Sequence, residues 1–203
     1  MLEQPIYAID DPWVLRELVA AHGWATLVSV SDGGEPVVSH LPVIPDPANP
    51  GPAVVGHLAR ADAEVHGLGR RPVVIVVEGP EGYVSPTLYR AGPYVPTWNF
   101  VTLHLHGTPR VLGPEETYRV LSDTVDHFEA GRPEPFRLDS VEEYAHRIAP
   151  GVTGFRLVPD RVVGKAKLSQ EKPAEIVKRV IEALDSGGAY GNRALAEAMR
   201  AAR

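Results

Sequence analysis

Cysteine is absent from the 203 residues of this chain. Disulfides, thiolate nucleophiles, Fe–S clusters and cysteine-ligated zinc are thereby excluded. No apolar run approaches the ~18–20 residues that a membrane-spanning helix needs. The opening stretch MLEQPIYAIDDPW carries acids and a proline where a secretory leader carries basic and then apolar residues. A cytoplasmic location without a membrane partner is the expectation. G-x-G-x-x-G, P-loop and nucleophile-elbow patterns are missing too, and so is a recognisable helix-turn-helix. The formal charge of −6 argues against a polyanion-binding surface spread over the molecule.

Lysine is the next scarcity. Of 20 Lys+Arg residues only four are lysines, and all four (Lys165, Lys167, Lys172 and Lys178) fall in one stretch around VGKAKLSQEKP. If that stretch is a strand, Lys165, Lys167 and Ser169 share one face and Ala166 and Leu168 the other. Two ammonium groups and a hydroxyl on one face suit a phosphate. Ser169 and Gln170 also precede a proline-led helix, whose first N–H groups attract anions. The alternative is an exposed strand edge on which lysine guards against aggregation.

What is present reads as α+β. DDPWVLRELVAAHG is an amphipathic helix with an aspartate N-cap, Pro12 in the first turn and Gly23 past its end. WATLVSVS, PVVSHLPV, AVVGHLA and WNFVTLHLHGTPRVL are strand-like, and DGGE is a hairpin turn. PVVIVVEG is a continuous apolar run, expected as a central strand buried on both faces. RADAEVHGLG is a short helix. PEETYRVLSDTVDHFEAG spaces Tyr118, Leu121, Val125 and Phe128 helically, and SVEEYAHRI is a helix capped by Ser140 with Glu143 three residues on. GVTGFRLVPDRVVGKAKLSQ returns to strand, and two helices close the chain. Short strands with helices at both ends and in one block predict a small antiparallel barrel. The expected divisions of this single domain are a barrel core with its N-terminal helix over 1–112 and a helical insertion over 113–150. Barrel-completing strands follow over 151–172 and C-terminal helices over 173–203.

Other candidates accompany the lysines. In VPTWNF, Trp98 and Asn99 offer a flat indole and an amide to bracket a planar heterocycle, or plain core. His104 and His106 share a strand face in LHLHG, without an obvious third metal ligand, so no metal site is expected. His40 in SHLPV, and His57 and Arg60 in GHLARAD, lie on or at the end of further strands. Arg60 suits either a phosphate or an ion pair with Asp62. Arg193, Arg200 and Arg203 form the only plausible basic arm for DNA.

SHLPV, GHLARAD, GPEGYVSPTLY, VPTWNF, LHLHG and GKAKLSQEKP occur in an order and at spacings that resemble the PaiB family of FMN-binding split-barrel proteins. The resemblance covers about residues 2 to 200. It implies an α+β, antiparallel, Greek-key-like split β-barrel with flanking helices, usually a homodimer. In related barrels FMN lies in a groove between subunits, its phosphate held by basic and hydroxyl side chains. By that resemblance Lys165, Lys167, Ser169, Gln170, Arg60, His57, His40, Trp98 and Asn99 are cofactor-binding candidates. Glu171 stands where the family usually has asparagine, and Leu88 and Ala166 where it has tryptophan, losses that would widen the presumed groove or leave one side of it unpacked. The family is commonly labelled a negative transcriptional regulator. A flavin-dependent redox or sensory role is the leading expectation. A DNA-binding regulator, and a haem-binding or haem-degrading barrel ligated by His104 or His106, are the alternatives. Neither a substrate nor a catalytic residue follows from the residues.

Overall fold

A computed structural model describes residues 1–202 of the chain. The strands are β1 (Ala8–Ile9), β2 (Trp24–Val30), β3 (Pro36–Pro45), β4 (Val54–Ala59), β5 (Val73–Val84), β6 (Thr97–Gly107), β7 (Arg110–Val111), β8 (Val152–Leu157) and β9 (Arg161–Lys167). The α-helices are α1 (Pro12–Ala21), α2 (Arg60–His66), α3 (Pro86–Tyr89), α4 (Pro114–Glu129), α5 (Glu142–Ile148), α6 (Ala174–Asp185) and α7 (Arg193–Ala201). The fold is α+β, an antiparallel split barrel with flanking helices, and the chain divides into two compact units.

One unit comprises Asp11–Val77 and His104–Val162. Its strands run in the order β5, β2, β3, β4, β8, β7, and each of these pairs is antiparallel. Asp11 caps α1 by accepting from the Trp13 N–H, and Leu15, Leu18 and Val19 are the buried stripe of that helix. Strand alternation sends Ala25, Leu27 and Ser29 of β2 inward and Trp24, Thr26, Val28 and Val30 outward. β5 is not buried on both faces. Val73, Ile75 and Val77 are buried, whereas Val74 and Val76 join a half-open outer face with β2 and β3. On that face Trp24 is 67% exposed, Val30 54% and Val38 55%, and His40 stacks on Trp24 at 6.5 Å.

α4 presents a different stripe from the one its apolar spacing predicts: Thr117, Val120 and Thr124 are its buried residues. Gly154 of β8 is the reason. A Cβ there would lie 2.7 Å from Thr117 Oγ1, so the bare backbone lets a threonine turn press onto the strand. Thr124 Oγ1 donates to Val120 O at 2.6 Å, which satisfies its buried hydroxyl. Tyr118 instead stacks on His146 of α5, with ring centroids 3.8 Å apart and planes 7° from parallel. Ser140 does not cap α5 either. It lies inside a 3-10 turn over Leu138–Val141, and its hydroxyl donates to Arg137 O at 2.6 Å.

His66, at the end of α2, is fully buried between Ser29 Oγ on Nδ1 (2.7 Å) and Ser39 Oγ on Nε2 (3.0 Å). Burial pushes its pKa below the ordinary histidine value, with Asp62 pulling weakly the other way. Burial lowers His22, His57 and His104 likewise. A lowered folded-state pKa means the unfolded chain protonates first, near pH 6.5, as pH falls. Stability is therefore full above that point and declines below it. The Tm is expected to drop between about pH 7.5 and 5.5, earlier than carboxylate titration would cause, and His66→Gln to flatten the decline when followed by thermal denaturation.

The other unit comprises Met1–Asp10, Glu78–Leu103 and residues 163–202. Within it β9 is flanked by β1 and β6, and β1 pairs with it antiparallel through Ala8↔Lys165 and Ile9↔Gly164. Its core is helical. Ile176, Val177, Val180, Ile181 and Leu184 form one stripe of α6 and pack with Leu195, Ala196 and Met199 of α7, and with Tyr89 and Leu168. Leu88 and Ala166 pack against this cluster, so the two positions that lack the family's tryptophans abut the helical core. Asn192 caps α7 through the Leu195 N–H (3.1 Å) and ties the helix to Glu81 O (2.8 Å).

Candidate functional site

The lysine stretch is a strand only as far as Lys167. Ser169 has φ of +67°, left-handed backbone that a non-glycine residue adopts only when held there. The expected shared face for Lys165, Lys167 and Ser169 thus ends at the second lysine, and Ser169 turns inward instead. Its hydroxyl is 1% exposed and faces Asn99, with Asn99 Nδ2 at 3.0 Å and Oδ1 at 3.2 Å. Asn99 is itself fully buried and also reaches Met199 Sδ at 3.5 Å. Gln170 folds back over the same turn. Its Oε1 accepts from the Leu168 N–H (2.7 Å) and its Nε2 donates to Ala166 O (2.6 Å). A serine held left-handed, an amide below it and an amide above it together lock the turn after β9.

Both ammonium groups are engaged. Lys165 is 7% exposed; its Nζ donates to Leu2 O (2.9 Å) and Gln4 Oε1 (3.0 Å) and lies 5.6 Å from the Tyr7 ring centroid. Lys167 Nζ donates to Trp98 O at 2.9 Å and to Thr97 Oγ1. Each retains donor capacity beyond these bonds, since an ammonium carries three N–H groups. Glu171 pairs with Lys172 at 3.2 Å and accepts from the Tyr7 hydroxyl at 3.0 Å. Burial pushes the Glu171 carboxyl up, but its own backbone N–H, Lys172 and Tyr7 outweigh that and leave it below the ordinary value. Lys167 is lowered by burial and by repulsion from Lys165 and Lys172, with Glu171 opposing. Two neighbouring ammonium groups thus disfavour the charge on Lys167, and one carboxylate favours it.

Trp98 and Asn99 lie in this unit but on opposite faces of β6, as neighbouring strand residues must. Trp98 is half exposed, donates its indole N–H to Glu81 and meets Tyr83 edge-on at 6.1 Å. The remaining candidates belong to the other unit. His40 is exposed on the outer face of β3, its Nδ1 3.1 Å from Thr26 Oγ1. His57 Nδ1 is buried with no hydrogen-bond partner among the described residues. Arg60 does not pair with Asp62. Its Nε donates to Pro150 O at 2.8 Å, and it borders a cavity of about 350 Å³ with Thr117, Tyr118 and His146. His104 and His106 share a face with ring centroids 6.2 Å apart, and no cluster of three or more potential metal ligands exists among the described residues. In the presumed basic arm Arg193 pairs with Glu197 at 3.0 Å and Arg200 with Asp185; Arg203 lies outside the described residues.

Sequence reasoning missed Tyr7, Gln4 and Glu171 as partners of the lysines. Tyr7 and Glu171 are separated by 164 positions, and no local pattern announces such a pair. Thr97 and Trp98, whose hydroxyl and backbone carbonyl accept from Lys167, both lie in the quoted motif.

The fold is thus an antiparallel split barrel with Lys172 in the turn after its last strand. Among solved structures the fold is similar to the FAD and heme binding protein from Mycobacterium smegmatis, with a TM-score of 0.63 and 18% identity over 85% of this chain and 78% of that one. It is also similar to the flavocytochrome Anf3 from Azotobacter vinelandii, with a TM-score of 0.57 and 17% identity over 79% and 69% of the two chains. Residues 1–161 match the family described as "Putative FMN-binding domain", and the chain belongs to that family, the PaiB family of split barrels. It is 25% identical over 183 residues to the Protease synthase and sporulation protein PAI 2 of Bacillus subtilis, covering 89% of this chain and 87% of that protein. An uncharacterized protein of Saccharomyces cerevisiae is 31% identical over 121 residues, 55% of this chain and 72% of its own.

Proposed function

We propose that this protein binds FMN as a homodimer, with the flavin phosphate taken by the ammonium groups of Lys165 and Lys167. The observation that carries the reading is the charge imbalance at the turn after β9. Lys165 and Lys172 both act unfavourably on the Lys167 ammonium, Glu171 acts the other way, and Lys167 is held partly desolvated. A phosphate dianion relieves that repulsion and accepts the remaining ammonium hydrogens. Ser169, Gln170 and Asn99 act beneath the lysines as positioning residues, since their bonds lock the backbone from which Lys167 projects. Trp98 offers its exposed indole face to the ring system. Arg60, His57 and His40 are the further candidates for flavin contact. The half-open outer face of β2, β3 and β5, with Trp24, Val30 and Val38, supports self-association. A bound flavin supplies hydride and single-electron transfer, while this chain binds, orients and shields it in a redox or sensory role.

Titration of the purified protein with FMN, followed by flavin fluorescence and by mass in solution, tests this reading. Micromolar binding to a dimer is expected. Lys167→Ala and Lys165→Ala should each weaken binding at least tenfold, as loss of a charge-assisted hydrogen bond of about 1.5–3 kcal/mol requires. Riboflavin, which lacks the phosphate, should bind more weakly and equally to all three proteins. Absence of flavin binding, or lysine variants with unchanged affinity, would remove the assignment.

A further inference from the structure

Lys165 is a phosphate ligand in the reading above, yet it is 7% exposed, and what covers its ammonium comes largely from residues 2–7. Its Nζ donates to Leu2 O at 2.9 Å and to Gln4 Oε1 at 3.0 Å. The ring centroids of Tyr7 and Phe100 lie 5.6 Å and 6.0 Å from it. Two of the three N–H groups of this ammonium are therefore taken up by residues 2–4, and a phosphate must displace those acceptors to use them. Lys167 lies outside this cover, bonded instead to Thr97 and Trp98.

The covering segment is built to come away. Residues 1–6 are all exposed, Leu2 at 73% and Ile6 at 55%, so little apolar burial opposes its departure. The chain is anchored just beyond it. Tyr7 is buried and donates to Glu171 at 3.0 Å, and Ala8 and Ile9 pair with Lys165 and Gly164 of β9. Between the two parts Pro5 opens a 3-10 turn, and Gln4 before it is extended, as a residue preceding proline prefers to be. Leu2 O and Gln4 Oε1 are neutral acceptors, whereas a phosphate dianion offers an ammonium full charge as well as lone pairs. We propose that residues 1–4 form a strap that closes the phosphate position at Lys165 and is displaced when the ligand binds, an autoinhibitory contact. The phosphate docks first on Lys167, and the strap then yields Lys165.

The inference rests on the flavin reading for its ligand, while the closure of Lys165 is measured without one. Wild-type protein is compared with a variant lacking residues 2–4 and with Gln4→Ala, which removes one acceptor at full length and carries the test if the deletion disturbs β1. Acetylation by N-acetoxysuccinimide, read by peptide mass spectrometry against the exposed Lys178, reports the cover. Lys165 should react about tenfold faster in the shortened protein and at an intermediate rate in Gln4→Ala, with Lys178 unchanged. FMN should bind the shortened protein about tenfold more tightly, with Gln4→Ala again between. Lys165 reacting at the wild-type rate in both variants would overturn the strap. Faster acetylation with FMN affinity unchanged or weakened would overturn the inhibition while leaving flavin binding intact. If FMN binds none of the three, the flavin reading fails and inorganic phosphate becomes the probe. It should then protect Lys165 from acetylation at about tenfold lower concentration in the shortened protein. Equal protection, or none, would overturn the competition.

Discussion

Phe155→Ala is expected to destabilise the protein by about 3–5 kcal/mol, the range for emptying a buried phenylalanine site. Phe155 is 0% exposed in β8 and lies across from Gly56 of β4, pressed so close that a Cβ on Gly56 would come within 3.0 Å of its ring. The ring fills space that its cross-strand partner, a glycine, has no side chain to reclaim. At ~2–4 °C per kcal/mol for a chain of this size, the Tm should fall by roughly 6–20 °C. Thermal and urea denaturation followed by circular dichroism measure it. Gly56→Ala carries a separate penalty, since its Cβ would also lie 2.7 Å from Pro42 O. A backbone carbonyl cannot step aside as a side chain can, so the double variant should be no more stable than Phe155→Ala alone. Recovery in the double variant would show that β3 yields at this point and that the contact with Pro42 is not rigid.

Asn99→Leu is the second large effect, and it bears on the candidate site. The substitution keeps the volume and removes both hydrogen bonds to Ser169, leaving a 1%-exposed hydroxyl unpaired. An unsatisfied buried polar group costs about 1–3 kcal/mol, and the left-handed turn at Ser169 loses its anchor as well, so a total near 2–4 kcal/mol is expected. Ser169→Ala in the same background should recover part of the loss, because replacing both members of a buried pair by apolar groups approaches neutrality. A double-mutant cycle by urea denaturation reads this coupling. Additive losses would mean that Asn99 and Ser169 act independently.

The elements legible in the sequence were those with a strong local signal. Asp11, Pro12 and Gly23 bracket α1 because capping chemistry depends on a few neighbouring residues. Runs of strand-forming residues marked β2 and β3, and a leading proline marked α6. Local patterns failed where a distant residue altered the outcome. The stripe of α4 was misjudged because Gly154 accepts Thr117 in place of larger apolar groups. Ser169 reads as a strand residue until Asn99, 70 positions earlier, holds it in a left-handed turn.

At the candidate site the residue types and their clustering were written in the chain: four lysines gathered in one stretch, an adjacent serine and glutamine, and a motif-bound tryptophan and asparagine. Composition alone excluded thiol chemistry, and the motif order alone pointed to the split-barrel family. The tertiary structure decided what each group is bonded to. It set Lys165 on Leu2 and Gln4, Lys167 on Thr97 and Trp98, and Glu171 between Tyr7 and Lys172. It also left the Tyr89 hydroxyl buried without a hydrogen-bond partner among the described residues. Secondary structure follows largely from backbone preference and side-chain periodicity over a few residues, which a sequence displays directly. Hydrogen-bond partners and burial depend on which distant segments the packed core brings together, and that is settled only when the chain has folded.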